Sequence, residues 1–388
     1  MLSRELNLPK NQHFFLIGPR QTGKTTLIKE TFPEKNRKIY NLLLTDVYGK
    51  YKAEPELFRQ EVLAISNDIS WIVIDEIQRI PEILNEVQYL IDAGVEKKFV
   101  ITGSSARKIK RGRGNLLGGR AWSLNLFPLS LKELGSLNNL GEILTYGTLP
   151  HIVTAESNFE KQEFLRSYVE VYLKEEIELE ALSRNIGGFI RFLAVAAQTN
   201  GEQLNFTNVG KDVGISSVTA KEYFKILEDT LLGFFLLPFE FSERKKHKTS
   251  PKFYVFDTGV LRATQKKLSL EITPGTFEFR NYFETWVINE SIKISSYLRK
   301  DLSFSFLRTA SDVEVDLVIQ FPNGRILAVE IKSKKTPDER DFESGFLAIK
   351  SLAPKAECIC VCTGEAQRIV GDYKVMHYSD FFELLRSI

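Results

Sequence analysis

The sequence predicts an α/β protein whose first domain is built on a parallel β-sheet and is followed by further α/β units. A short apolar run, HFFLI at residues 13–17, is followed at once by a glycine-rich loop and a helical pattern. Two later runs, WIVID and FVIT, are continuously apolar, as in parallel strands that are buried on both faces. At 388 residues, the chain also exceeds what one hydrophobic core usually organises.

The overall composition is that of a globular chain without a strong charge bias. Hydrophobic residues make up 43% of the chain, charged residues make up 26%, and the net charge is +2. Nucleic-acid binding would therefore have to come from local clusters of basic side chains. No apolar run approaches the roughly 20 residues that span a bilayer, and the first residues are too polar for a signal peptide. We expect a cytoplasmic protein that does not associate with membranes.

The loop after the first strand has the pattern of a phosphate-binding loop. Its glycines allow backbone N–H groups to turn toward phosphates, and the start of the following helix adds partial positive charge. Lys24 is expected to reach the β- and γ-phosphates of ATP, and the Thr25 hydroxyl is expected to bind Mg²⁺. The residues expected to hold the nucleotide are Gly18, Pro19, Arg20, Gln21, Thr22, Gly23, Lys24, Thr25, Thr26 and Asp75.

The second apolar strand ends in two carboxylates, Asp75 and Glu76. At the C-terminal edge of a parallel sheet, Asp75 can join Thr25 in the Mg²⁺ shell, and Glu76 can orient and deprotonate the attacking water. Alone, such a pair is more often a solvated strand end. The phosphate-binding loop beside it favours the catalytic interpretation.

The third strand ends in small hydroxyl residues, and a basic, glycine-rich segment follows it. Thr102 or Ser104 could hydrogen-bond the γ-phosphate or the attacking water, and the alternative is ordinary turn chemistry. Arg120, the last arginine of ARKIKRGRGNLLGGR, is the candidate for neutralising charge in the transition state, in its own subunit or in a neighbouring one. The alternative interpretation of this segment is a solvated, charged face.

Residues 136–200 are predicted to form helices that act as a lid or connector over the nucleotide, and residues 201–270 are predicted to form a winged helix. In the latter, Thr207 is expected to cap a short helix, a turn follows at Gly214, and a longer helix starts at Ser217. The apolar positions of the longer helix are Val218, Phe224, Ile226 and Leu227.

Two extended apolar segments flank the sequence ERKKHK, residues 243–248, and suggest a basic wing. Such a wing suits contact with phosphates, so DNA is the expected partner. The alternative is a winged helix that contacts protein and has a solvated loop.

The region after residue 271 contains a second candidate site on a predicted β-hairpin. Asp316 lies on one strand, and Glu330 and Lys332 lie two residues apart on the next strand, hence on one face of it. The two carboxylates can bind Mg²⁺ or Mn²⁺, Lys332 can position water or stabilise phosphorane charge, and Glu284 would complete the site from the preceding helix. The alternative is an exposed, charged hairpin.

The register of this hairpin decides whether its three polar side chains meet. A three-residue Pro-Asn-Gly loop, residues 322–324, with glycine in the left-handed position, pairs Asp316 with Glu330. A two-residue Asn-Gly loop would instead oppose Asp316 to Ile331 and scatter the polar side chains. The first register is the one that the proposed chemistry requires.

The order of these motifs resembles that of a known family. The phosphate loop, DEIQRIP, TGSSARKIKRGRGNLLGGR, KFYVFDTGV, and EVDLVI with AVEIKSK occur as in the AAA+ ATPases whose C-terminal half is catalogued as domain of unknown function 4143. The resemblance covers essentially the whole chain, and because AAA+ cores often assemble into rings, it is compatible with a homo-oligomer. It implies an AAA+ core in residues 1–135, a helical connector in 136–200, a winged helix-turn-helix in 201–270 and a restriction-endonuclease-like PD-(D/E)XK domain in 271–388.

The resemblance places the ATP site on Lys24, Thr25, Asp75 and Glu76, and the nuclease-type motif on Glu284, Asp316, Glu330 and Lys332. Val315 stands where the nominal nuclease motif has proline. Two hypotheses therefore remain. The first is a Mg²⁺-dependent ATPase coupled to a DNA-directed module with an endonuclease site. The second is an ATP-controlled switch that binds DNA or protein and uses an inactive nuclease-like scaffold.

Overall fold

The computed structural model describes residues 2–105, 117–173, 186–240 and 250–388. The N-terminal part contains five strands: β1 (His13–Ile17), β2 (Arg37–Asn41), β3 (Trp71–Asp75), β4 (Lys98–Gly103) and β5 (Ala121–Asn125). They form one parallel sheet in the order β2-β3-β4-β1-β5. The predicted parallel sheet is confirmed.

Both faces of this sheet are covered, which explains the uninterrupted apolar runs in the sequence. In β3, Ile72 and Ile74 pack into one core, whereas Trp71 and Val73 pack into another. Strands buried on both faces have no solvated side that would favour polar residues. The helices that connect the strands are α1 (Lys24–Thr31), α2 (Thr45–Ala53), α3 (Glu56–Ala64) and α4 (Ile83–Asp92).

A second, mixed sheet organises the rest of the described chain. Its strands are β6 (Gly233–Pro238), β7 (Lys252–Val255), β8 (Ser303–Arg308), β9 (Glu314–Gln320), β10 (Ile326–Lys332), β11 (Glu357–Cys362), β12 (Arg368–Val370) and β13 (Tyr373–His377). The eight strands follow the order β12-β13-β11-β10-β9-β8-β6-β7. Strands β6 and β7 form an antiparallel hairpin, and β6 joins the C-terminal strands by parallel pairing with β8.

Helices precede and cover this second sheet. They are α5 (Leu131–Leu134), α6 (Leu140–Tyr146), α7 (Pro150–Thr154), α8 (Asn158–Ser167), α9 (Ile186–Gln198), α10 (Phe206–Val213), α11 (Ser217–Asp229), α12 (Thr258–Thr264), α13 (Phe277–Tyr297), α14 (Glu343–Leu352) and α15 (Tyr378–Ser387). A π-helical segment, Tyr168–Leu173, follows α8. The predicted helical character of residues 136–200 is confirmed where the structure describes them. Among the described helices, none is both long and apolar enough to cross a bilayer.

One continuous apolar core joins the connector, the helix-turn-helix and the C-terminal strands. It includes Leu129, Phe224, Phe283, Phe306 and Leu385, all of them fully or almost fully buried. The boundary predicted near residue 270 therefore does not separate two cores. The physical reason is the β6–β8 pairing, which makes the β6–β7 hairpin part of the C-terminal sheet.

Helices α10 and α11 form the predicted helix-turn-helix, with two corrections. Asn205 caps α10 in place of Thr207, because Asn205 Oδ1 accepts from the backbone N–H groups of Thr207 and Asn208, each at 3.1 Å. Val218 is not a core residue, since 69% of its surface is exposed. It lies about 200° of helical rotation away from the buried Ala220.

Candidate functional site

The predicted phosphate-binding loop lies between β1 and α1, at the C-terminal edge of the first sheet. Gln21 and Gly23 both have positive φ angles, 63° and 90°, so the loop backbone turns sharply before α1 begins at Lys24. Glycine adopts the conformation at position 23 without steric cost. Alternating backbone conformations of this kind direct successive N–H groups into a concave, anion-binding surface.

The side chain of Lys24 is buried against this loop. Its Nζ donates to the carbonyl oxygens of Gly18 at 2.8 Å and Pro19 at 3.0 Å. The Thr22 hydroxyl donates to the same Pro19 carbonyl at 2.9 Å. The loop therefore holds a positive charge next to its own backbone, as a triphosphate site requires. Of the other predicted loop residues, Thr26 is exposed on the first turn of α1.

The residues predicted to bind Mg²⁺ are brought together at the end of β3. The Thr25 hydroxyl donates to Asp75 Oδ2 at 2.9 Å, and the Thr102 hydroxyl donates to Asp75 Oδ1. Hydroxyl and carboxylate oxygens are the hard ligands that Mg²⁺ prefers, so this pair fits the ion chemically. The backbone N–H of Glu76 donates to the Thr102 hydroxyl at 3.2 Å, which ties Glu76 to the end of β4.

Gln78 belongs to this group, although no role was predicted for it from the sequence. Its Nε2 donates to Glu76 Oε2 and to the Ser104 hydroxyl, the latter at 2.8 Å. Gln78 is 2% exposed, and its Oε1 has no hydrogen-bond partner within the described part of the chain. The signal in the sequence was the spacing in DEIQ, which puts an amide two residues after the predicted catalytic carboxylate.

The position of Arg120 contradicts its predicted role within its own subunit. Arg120 directly precedes β5, and the register of β5 with β1 places it at the edge of the sheet opposite the phosphate-binding loop. Strands of five residues separate the two edges by roughly 15 Å. Its Nε donates to Asp92 Oδ1 at 2.8 Å. A role in a neighbouring subunit stays a prediction. The basic segment before Arg120 contains four more basic residues, and all four lie outside the described residues: Lys108, Lys110, Arg111 and Arg113.

The C-terminal hairpin has the register that the three-residue loop predicts. Val329 pairs with Leu317 and Ile326 pairs with Gln320, which aligns Glu330 with Asp316. The turn glycine, Gly324, has a φ of 83°, in the left-handed region. The predicted alignment of Asp316 with Glu330 is therefore confirmed.

The side chain of Lys332 contacts both aligned carboxylates, Asp316 and Glu330. Its Nζ lies 2.5 Å from Glu330 Oε2 and 3.6 Å from Asp316 Oδ2. Asp316 Oδ2 also accepts the backbone N–H of Ile331 at 2.7 Å. The structure thus brings together the three hairpin residues that the sequence singled out.

Glu284 reaches the same cluster from α13, and two residues of β7 meet it there. Tyr254 Oη donates to Glu284 Oε1 at 2.6 Å, and Lys252 Nζ lies 3.5 Å from the same oxygen. Lys252 is 4% exposed and also pairs with Glu314. No role was predicted from the sequence for Lys252, Tyr254 or Glu314. Alternate residues of a strand share a face. The sequence KFYV of β7 could therefore have shown that Lys252 and Tyr254 point to the same side of the sheet.

The carboxylate cluster comprises Glu284, Glu314, Asp316 and Glu330, and burial and neighbouring charges shift the pKa values of Glu284, Asp316 and Glu330. Burial and the neighbouring Asp316 carboxylate raise the pKa of Glu330 well above its ordinary value, and burial raises the pKa of Glu284. Burial opposes ionisation of Asp316, but the ammonium groups of Lys332 and Lys252 outweigh it and lower the pKa of Asp316. Among these three carboxyl groups, only that of Asp316 has a pKa below its ordinary value.

A metal ion bound by the predicted pair, Asp316 and Glu330, stays a prediction. Among the described residues, no group of three or more His, Cys, Asp or Glu side chains is arranged to hold a metal ion. Lys332 spans Asp316 and Glu330, the predicted metal pair, and Lys252 spans Glu284 and Glu314. An ammonium group therefore lies beside each of these four carboxylates.

The helix-turn-helix presents a mixed surface. The exposed residues of α11 include two lysines and a glutamate, and Lys225 Nζ is engaged by Glu228 at 2.5 Å and Asp229 at 3.6 Å. The predicted basic wing, residues 243–248, lies outside the described residues. Contact with DNA therefore stays a prediction.

Comparison with family models divides the chain into three consecutive matches. A model described as AAA domain matches residues 10–135, a domain of unknown function, DUF8612, matches residues 137–271, and DUF4143 matches residues 279–381. The first match contains the phosphate-binding loop and the ends of β3 and β4. The third contains Glu284 and the C-terminal hairpin.

Other proteins are similar in sequence to this chain over most of its length. An uncharacterized protein of Mycobacterium tuberculosis is 27% identical over 329 residues, which cover 83% of this chain and 70% of that protein. An uncharacterized protein of Methanocaldococcus jannaschii is 22% identical over 383 residues, covering 90% of this chain and 81% of that protein.

Among solved structures, domain III of the Thermotoga maritima replication initiation protein DnaA has 14% identity and a TM-score of 0.23, with 57% of this chain and 85% of that chain covered. A Signal Transduction ATPase with Numerous Domains from Pyrococcus horikoshii has 14% identity and a TM-score of 0.24, with 77% and 51% covered. Residues 10–135, which contain the phosphate-binding loop, thus match an AAA domain, and residues 279–381 match a DUF4143 domain.

Proposed function

We propose that this protein binds ATP together with Mg²⁺, hydrolyses it, and uses its nucleotide state to control the C-terminal part of the chain. The main support is the group of side chains at the end of β3 and β4. There Thr25, Asp75, Thr102 and Glu76 are linked by hydrogen bonds beside a loop that already holds the Lys24 ammonium group. The AAA-domain match covers all of these residues.

Each residue of this group has a role in the proposed reaction. Lys24 and the loop N–H groups bind the phosphates, and Thr25 and Asp75 would hold Mg²⁺, which neutralises charge on the phosphates when it is bound. Glu76 orients and deprotonates the attacking water. Ser104 and Gln78 hold the Glu76 carboxylate in place through the amide of Gln78.

Binding and turnover of nucleotide by purified protein test this proposal directly. Lys24→Met should abolish binding of a fluorescent ATP analogue, because the loop loses the charge that balances the phosphates. Glu76→Gln should bind the analogue with wild-type affinity but hydrolyse ATP on the order of 100-fold more slowly. Wild-type protein that takes up neither ATP nor GTP would refute the proposal.

DNA is the partner proposed for the helix-turn-helix, supported by the α10-turn-α11 arrangement followed by the β6–β7 hairpin. Fluorescence anisotropy with a labelled duplex, measured with ATP and with ADP at several salt concentrations, tests it. Phosphate contacts predict an affinity that falls steeply with salt. Absent or salt-insensitive binding would instead assign this element to protein contacts.

Phosphodiester cleavage at the carboxylate cluster is the second candidate function. It is favoured by the hairpin register that places Asp316, Glu330 and Lys332 together. The arrangement of lysines between carboxylates favours the other hypothesis, in which this region is an inactive scaffold. Incubation of duplex DNA, single-stranded DNA and RNA with Mn²⁺ decides between them. Products that disappear in Asp316→Ala and Lys332→Ala, with ATP hydrolysis retained, would establish cleavage.

An oligomer is proposed because Arg120 can approach a nucleotide only in a neighbouring subunit. Light scattering with and without ATP should then detect assembly. If Arg120→Ala slows ATP hydrolysis only under conditions where the protein assembles, Arg120 acts on the nucleotide bound by a neighbouring subunit. A monomer that hydrolyses ATP at full rate would exclude it.

A further inference from the structure

The guanidinium group of Arg4 joins the phosphate-binding loop to three other parts of the chain. Its Nη1 donates to the Thr22 carbonyl at 2.8 Å, and its Nη2 donates to the Phe127 carbonyl at 2.7 Å and to the Tyr297 hydroxyl at 3.1 Å. Its Nε pairs with Glu133 at 3.1 Å, and the side chain is 6% exposed. One buried cation therefore holds four segments together.

The bond to Thr22 fixes the orientation of a peptide plane inside the loop. The Thr22 carbonyl and the Gly23 N–H belong to one planar unit and point in opposite directions, so holding the carbonyl also directs the N–H. A second loop carbonyl, that of Arg20, accepts from the Tyr168 hydroxyl at 3.2 Å. Arg4 and Tyr168 both lie outside residues 10–135, the range that the AAA-domain match covers.

Tyr297 limits where the Arg4 guanidinium can lie. Its hydroxyl contacts Arg4 and also accepts the Phe127 N–H at 3.0 Å, and its side chain is almost fully buried. Tyr297 is the last residue of α13, whose first half carries Glu284 in the carboxylate cluster, about 20 Å away along the helix axis. A displacement of α13 along its axis would therefore carry Tyr297 away from Arg4.

We propose that Arg4 is a positioning residue for nucleotide binding, and that Tyr297 couples the phosphate-binding loop to α13. Neither side chain is expected to touch the nucleotide, because both act through the backbone of the loop. This inference rests on the proposed ATP site and adds a route from that site to the C-terminal region. The coupling is reciprocal. Bound nucleotide should therefore stabilise the contact between the end of α13 and Arg4 by the same free energy by which that contact favours nucleotide binding.

The test compares two tyrosines of the same helix. Tyr297→Phe removes the hydroxyl that contacts Arg4 and the backbone of Phe127. Tyr282→Phe removes a buried hydroxyl that donates to Gln265 Oε1 at 2.7 Å, away from the loop. Binding of a fluorescent ATP analogue is measured for both variants and for wild type. Tyr297→Phe should weaken binding about 3- to 10-fold, the effect of one net hydrogen bond, and Tyr282→Phe should leave it unchanged.

Two variants of Arg4 separate positioning from simple charge. Arg4→Gln should weaken binding by at least 10-fold, and Arg4→Lys should not restore it, because an ammonium group cannot reproduce the planar fork of donors. Arg4→Gln combined with Tyr297→Phe should lose less affinity than the two single changes added together. Full affinity in Arg4→Lys would overturn the positioning role. Should Arg4→Gln fail to fold, Tyr297→Phe alone decides.

Amide hydrogen exchange supplies a readout that does not depend on catalysis. ATP should slow exchange in residues 290–297 of wild-type protein and should do so less in Tyr297→Phe. Equal loss of affinity in Tyr297→Phe and Tyr282→Phe, or unchanged affinity in both, overturns the coupling while leaving the proposed ATP site intact. Failure of wild-type protein to bind nucleotide overturns both proposals together.

Discussion

The Thr102 hydroxyl occupies a central position in the candidate ATP site. It donates to Asp75 and accepts the backbone N–H of Glu76, so it joins the end of β4 to both carboxylates at the end of β3. Its side chain is fully buried. The sequence suggested that Thr102 or Ser104 hydrogen-bonds the γ-phosphate or the attacking water. The structure adds a positioning role, because this hydroxyl holds the neighbouring carboxylates in register.

Thr102→Val should therefore impair hydrolysis more than binding. Valine has the same shape but leaves Asp75 Oδ1 and the Glu76 N–H without this partner, and small displacements of catalytic groups are costly. We expect the turnover number to fall on the order of 10-fold, with nucleotide affinity within about twofold of wild type. Steady-state kinetics and equilibrium binding check this. The control is Thr230→Val, a buried threonine whose hydroxyl donates to the Ile226 carbonyl at 2.8 Å.

The buried carboxyl of Glu330 predicts a pH dependence of stability. Its pKa is raised in the folded state above the ordinary value of 4.5, so the folded protein binds more protons than the unfolded chain above that pH. The free energy of unfolding therefore falls as pH rises from about 4.5 toward the raised pKa. This direction is opposite to that of a carboxylate whose pKa is depressed by a salt bridge.

Glu330→Gln should remove part of this dependence. Glutamine mimics the neutral carboxyl, so the variant should gain stability relative to wild type at pH 8 and gain less at pH 5. Urea denaturation at the two pH values measures the difference. Glu278→Gln, an exposed change at the start of α13, should show no such difference. A gain from Glu330→Gln that is equal at both pH values would contradict the assigned pKa direction.

At the scale of elements, the turn between α10 and α11 depends on a close approach of backbone atoms. A Cβ at Gly210 would lie 2.8 Å from the Ile215 carbonyl oxygen and 3.2 Å from the Ser217 nitrogen. Both atoms belong to the backbone of the turn and cannot move as a side chain can. The helix-turn-helix angle is thus set by a small residue in α10.

Gly210→Ala should destabilise the protein by about 1–3 kcal/mol through this clash. The matched control is Gly49→Ala in α2, where nothing lies within 4 Å of the added Cβ. That change should stabilise by about 0.5–1 kcal/mol, because alanine is the better helix former. Chemical denaturation of both variants measures whether each change lowers or raises the free energy of unfolding. A stabilising Gly210→Ala would show that the turn can relax.

The β9–β10 hairpin shows how far local sequence can predict a site. The length of the Pro-Asn-Gly loop sets the pairing register, and the register sets which side chains share a face. Asp316, Glu330 and Lys332 could therefore be placed together from the sequence. Glu284 was also predicted to join them, whereas Lys252 was not. The approach of both residues depends on how α13 and β7 pack against the hairpin.

At the scale of the whole molecule, the region after the first sheet behaves as one structural unit. One continuous apolar core extends from Leu129 to Leu385, and β6 pairs with β8 across the predicted boundary near residue 270. A fragment of residues 201–270 would lose this pairing and many of its core partners. Such a fragment exposes apolar surface that the preceding helices, α13 and the C-terminal strands cover.

Two fragments test this unity. Residues 201–270 alone should show no cooperative thermal transition, because their share of the core is too small to offset the conformational entropy of folding. Residues 128–388, which retain the full core, should unfold in a cooperative transition. Circular dichroism during heating distinguishes these outcomes. Cooperative unfolding of the 201–270 fragment would restore the independent winged-helix domain that the sequence predicted.

The sequence by itself determined the features that depend on neighbours along the chain. These are the phosphate-binding loop between strand and helix, the carboxylates at the end of β3, and the hairpin register, all governed by short-range geometry and by burial of apolar strands. Only the tertiary structure decided which distant groups meet them. It placed Arg120 at the far edge of the sheet, Lys252 among the carboxylates and Arg4 behind the loop, because such contacts depend on how whole elements pack.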